Sequence, residues 1–118
     1  MEAPNKVVAG ICGFKTIITA SSEDNMHVDL KVVSPCETVK ELASCYKEKT
    51  PVNAYQELSP QNESVIMEAS RSVLMQKGCC EACVVPLAVC KAVHIAAGLA
   101  LPKDVVFEVS AIRQLYRS

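Results

Sequence analysis

MHVDLKVVSPCE, residues 26–37, changes its hydrophobic period once, and that change decides the fold. Val28, Leu30 and Val32 alternate with His27, Asp29 and Lys31, the two-residue period of a strand with one face covered. Ser34, Pro35 and Glu37 then supply a capping serine, a proline at the first helical position and a glutamate at the third, which predicts a helix from this point. A half-covered strand leading into a capped helix calls for a sheet with helices on its apolar face.

Upstream, Val7 to Cys12 and Lys15 to Ser21 are short β-rich runs broken at Gly13 and Phe14, and residues 21–25 form a polar turn. The three runs predict a β-meander. Downstream, Cys36, Val39, Ala43 and Tyr46 recur at helical spacing and turn Cys36 toward the core side. Lys47 to Pro51 ends that helix, and Val52 to Leu58 fits neither period. Ser59 and Pro60 repeat the serine-proline signal before a second helix with Val65, Ile66, Ala69 and Val73, and Gly78 is its natural stop. A third helix is expected from near Pro86 to Gly98, and Val105, Phe107 and Val109 alternate as a last strand. The predicted fold is therefore α+β in the order βββαααβ. It is a two-layer sandwich in which the meander and a C-terminal strand are covered on one face by helices, and residues 1–118 form a single domain.

Composition narrows the function. The net charge is −1, and there are two Phe, three Tyr and no Trp, so the chain lacks the basic surplus and stacking platforms of a nucleic-acid binder. The N-terminus lacks the basic and apolar segments of a secretory signal, which predicts a cytoplasmic protein. Ala82 to Pro102 is long enough to span a bilayer, but Lys91 near its middle costs roughly 2.5–3.5 kcal/mol there, so no membrane segment is expected. In a reducing compartment seven cysteines read as buried thiols, metal ligands or redox groups, and an odd number cannot all pair internally.

The topology brings several of them together. In an antiparallel meander, Cys12 closes strand one and Cys36 follows strand three, at the same end of the sheet. The first helix leaves that end and the second returns, so the loop holding Cys79, Cys80 and Cys83 lands there again. Cys36 and Cys83 each stand where a helix begins, and the positive end of its dipole favours negative charge. Three readings follow. Cys12, Cys36, Cys83 and Cys79, with Cys80 as the alternative to Cys79, would supply four thiolates to an iron–sulfur cluster or a zinc ion. Cys80 and Cys83 have the C-x-x-C spacing of a thiol redox pair, although a helix rather than a strand precedes them. Otherwise the cysteines are buried and inert in a cofactor-free interaction module, for which a homodimer is the simplest assembly. Cys45 and Cys90 fall inside helices and are assigned to packing. Lys91 and His94 share a face read as solvent-facing, where His94 is the candidate acid, base or ligand. No phosphate-binding glycine loop, H-E-x-x-H or G-x-S-x-G motif is present, and no pair of carboxylates stands out as acid and base.

With Cys12-Gly13-Phe14, Cys36, Cys83-x-x-Pro86 and the run Ala97-Gly98-Leu99-Ala100-Leu101-Pro102-x-Asp104-Val105 identified, the chain resembles a family of small prokaryotic cysteine-containing proteins of unknown function. The likeness covers most of the chain. It implies a prokaryotic origin and one small domain, and carries no activity, substrate or cofactor. The family pattern has proline directly after the Cys83 position and glutamate near position 94, where this chain has Val84 and His94.

Overall fold

The computed structural model describes residues 2–8, 14–58, 64–78 and 83–106. Three antiparallel strands, β1 (Glu2–Val8), β2 (Lys15–Ser21) and β3 (His27–Val33), form the expected meander. Helix α1 (Glu37–Lys49) follows, then the short strand β4 (Val52–Asn53), helix α2 (Ala54–Leu58), helix α3 (Val65–Lys77) and helix α4 (Val85–Ala96). The sheet order is β1-β2-β3-β4. The class is α+β.

Several boundaries differ from the sequence reading for physical reasons. Strand β1 begins at Glu2, five residues before Val7, because Glu2 through Val8 pair residue by residue with Ser21 back to Lys15. Pro4 is tolerated because β1 lies at the edge of the sheet order, where a missing N–H breaks no inner ladder. The ambiguous segment after Pro51 splits into β4 and α2, so the described order is βββαβααα rather than βββααα before the C-terminal region. Val52 pairs with Val28, and Ala54 N donates to Met26 O at 2.8 Å, which carries the chain to the far end of β3. Of the expected last strand, Val105 and Val106 are exposed and without regular structure, and the remainder lies outside the described residues.

Burial follows the strand period. Thr16, Ile18 and Ala20 of β2 and Val28 of β3 are buried, whereas Lys15, Ile17, Asp29, Lys31 and Val33 face out. Helix α4 lies on the covered face against β1 and β2, α1 lies against β3, and α3 packs on α1 and α4. Leu42, Ile66, Val85, Val89 and Val93 fill the space between them. The Tyr46 and Ser70 hydroxyls form a buried polar pair in this aliphatic core. Ser70 Oγ donates to Ile66 O at 2.6 Å, so the Tyr46 hydroxyl must donate to Ser70 Oγ. Both hydroxyl protons are thereby placed, which burial at this depth requires.

Candidate thiol site at the end of the sheet

Helix α1 begins later than its serine-proline signal suggests. Ser34 is buried and receives a hydrogen bond from the Thr16 hydroxyl at 2.9 Å, and its own Oγ accepts from Cys36 N at 3.2 Å. A serine held by strand β2 and turned onto the residue two ahead makes a local turn rather than a helix cap. The expected capping box is therefore absent, and Cys36 itself is the N-cap residue, with extended backbone and no side-chain capping bond. Its carbonyl accepts the first helical bond from Lys40 N at 2.9 Å. The thiol stands half-buried against the core, where the first-turn N–H groups of α1 begin.

The return of the chain to this end is visible in the contact between α1 and α3. Lys77 Nζ, in the last turn of α3, lies 3.0 Å from Glu41 Oε2, near the start of α1. The two helices are thus antiparallel. Gly78 closes α3 in the left-handed conformation, φ 67°, as its position predicted, and its N–H reaches Leu74 O and Met75 O. Cys83 follows this stop, is half-buried against the core, and precedes α4, whose first turn holds Pro86. Neither Cys36 nor Cys83 is in a disulfide. Cys12, Cys79 and Cys80 lie outside the described residues. Among the described residues, no group of three or more His, Cys, Asp and Glu side chains is placed to hold a metal ion.

Cys45 and Cys90 pack as the helical pattern predicted, Cys90 buried and Cys45 half-buried against the core. What the pattern did not reveal is that Cys90, Cys83 and Cys45 all lie near the Tyr46 phenol. Burial first, then these three thiols, holds that phenol well above its usual range, against the opposing hydrogen bond with Ser70. Cys83 lies ahead of α4 and Cys45 on α1, so no single helical spacing announced this grouping.

A second polar cluster gathers where α2, α3 and α4 meet, and no short motif announced it. Ser64 caps α3 by accepting from Met67 N at 3.0 Å, replacing the expected start at Ser59. Glu57, buried in α2, adds a second cap by accepting from Ile66 N at 3.0 Å through Oε1. Glu57 Oε2 is buried without a hydrogen-bond partner. Burial pushes the Cys90 thiol up to about 11, the Glu57 charge adds to the rise, and a hydrogen bond with Ser64 opposes it. His94 is not on the open face as expected. Its Nε2 donates to Glu57 O at 3.2 Å, while its neighbour Lys91 remains exposed. A protonated, buried Cys90 makes this cluster a structural joint rather than a nucleophilic site.

No helix among the described residues is long and apolar enough to cross a membrane. The model of a family of unknown function (DUF6951) matches residues 3–109. No curated protein and no solved structure matches the chain.

Proposed function

Because the chain belongs to this family of unknown function, we propose its role from its own geometry: it holds an iron–sulfur cluster or a zinc ion through Cys12, Cys36, Cys83 and Cys79 or Cys80. The observation that carries this reading is the antiparallel contact of α1 and α3 at Glu41 and Lys77, 3.0 Å. It brings the end of α3, which the cysteine-rich connection follows in sequence, back toward the start of the helix that Cys36 opens. Both described members are thiols outside disulfides, each just ahead of a helix whose positive dipole end favours negative sulfur. Four thiolates suit tetrahedral zinc or an iron–sulfur cluster, and ligands scattered singly along the sequence, as Cys12 and Cys36 are, resemble the latter more than paired zinc knuckles.

The test is metal analysis and the visible absorption of anaerobically purified protein, beside Cys36→Ser, Cys83→Ser and the control Cys45→Ser. Stoichiometric iron or zinc is expected in the parent and in Cys45→Ser, and its loss in the other two. A metal-free parent, or metal retained in both Cys36→Ser and Cys83→Ser, overturns the reading.

A further inference from the structure

The sheet has one face under helices and one face in solvent, and the solvent face is organised. Directly paired residues of an antiparallel sheet share a face, so the pairs Lys6 with Ile17, Ile17 with Val33, Thr19 with Lys31, and Ser21 with Asp29 define rows across it. Ile17 and Val33, neighbours in one row, are 40% and 54% exposed, which makes an apolar pair at one end. Lys6, Lys15 and Lys31, all exposed, stand in or beside that row. At the other end are Asp29 and the turn with Glu23 and Asp24, also exposed. The face is therefore basic and apolar toward the thiol end and acidic toward the β2–β3 turn.

We propose that this face is the interface of a homodimer in which two sheets stack face to face with their strands antiparallel. A two-fold axis in the plane of the face, crossing the strands between the Thr19–Lys31 and Ser21–Asp29 rows, sets Lys31 of each copy against Asp29 of the other. The same rotation turns Lys15 toward the partner's acidic turn. Stacking with parallel strands about an axis along β3 would put Lys31 over Lys31 and Asp29 over Asp29, so charge favours the antiparallel arrangement. Three strands of about seven residues cover roughly 23 by 14 Å, about 640 Å² over the two partners and below the range of stable specific interfaces, so the dimer is a weak one that dissociates on dilution. It uses no cysteine and is independent of the proposed thiolate centre.

Sedimentation equilibrium of the full chain over a range of concentrations tests it. The average mass is expected to rise from 12.7 kDa toward twice that value, with high salt shifting the rise to higher concentration. Lys31→Asp and Asp29→Lys should each raise the dimer dissociation constant at least tenfold, and the double variant K31D/D29K should restore it. Both positions are exposed, and circular dichroism confirms that each variant is folded. A parent that stays at 12.7 kDa at every concentration, a dimer indifferent to Lys31→Asp, or a double variant without rescue overturns the proposal.

Discussion

The first turns of α1 and α3 are built in opposite ways. α3 receives two carefully placed acceptors, Ser64 on Met67 N–H and the buried Glu57 on Ile66 N–H. α1 has a cysteine at the capping position and no side-chain capping bond, because its serine is bound to Thr16 instead. Both helices are 13 residues long and pack on each other, so the difference is local. One helix start is closed by side-chain caps, and the other begins at a thiol that makes no side-chain capping bond. The difference teaches that the two ends serve different purposes, and substitutions at each should respond differently.

The largest effect is expected at the closed end, on its buried thiol. The fold prefers Cys90 protonated, since its folded value of about 11 lies above the ordinary 9.0. Its contribution is complete below pH 9.0 and disappears as pH climbs through about 11, a change of about 2.7 kcal/mol. Urea melts at stepped pH should show stability falling from pH 9 upward, and Cys90→Ala should flatten the slope between pH 9 and 10. That interval lies below 10.0, the ordinary value from which Tyr46 is raised, so the buried phenol adds little there. A slope unchanged by Cys90→Ala would separate this thiol from the α3 joint.

Glu57→Ala comes next. It strips a charged acceptor from Ile66 N–H while also removing the unpartnered Oε2, and the net loss should be about 1.5 kcal/mol in denaturant melts. It should also bring the alkaline loss of stability to a narrower span, because the Glu57 charge no longer opposes the Cys90 thiolate. Ser64→Ala should cost about 1 kcal/mol, the ordinary value of a serine cap. Neither substitution should alter bound metal. Loss of metal in either would erase the contrast between the two helix starts.

How much of this was readable beforehand depended on how local its cause was. Strands β2 and β3, the stop at Gly78 and the proline start of α4 follow from neighbours in sequence, and all were legible. The start of β1 was not, because its first residues read as a polar, proline-containing tail and become a strand only by pairing with β2. Ser34 was misread for the same kind of reason. Its helix-cap pattern was intact, but a hydroxyl from Thr16, eighteen residues earlier, competes for it. Cys36 was expected within the first turn of α1 and is its N-cap, whereas the position of Cys83 ahead of a helix was legible. The second cap from Glu57 and the placing of Cys45, Cys83 and Cys90 about Tyr46 were not, since each depends on packing between helices that no short motif records.

The smallest effect on stability falls at the open end, and its sign is the informative part. Cys36→Ser places a good capping residue where α1 has none, and the new hydroxyl has the Val39 N–H, three residues on, as its natural partner. In chelator-treated protein the substitution should therefore be neutral or stabilising by up to ~0.5 kcal/mol, within the ordinary range for an improved cap. In protein purified anaerobically, the same substitution should abolish the metal. These two results together would mean that the chain carries a less favourable residue at a helix start because a sulfur is needed there. Were Cys36→Ser instead to destabilise the metal-free protein by more than about 1 kcal/mol, Cys36 would be acting through its packing against the core. The two helix starts would then differ in chemistry but not in purpose.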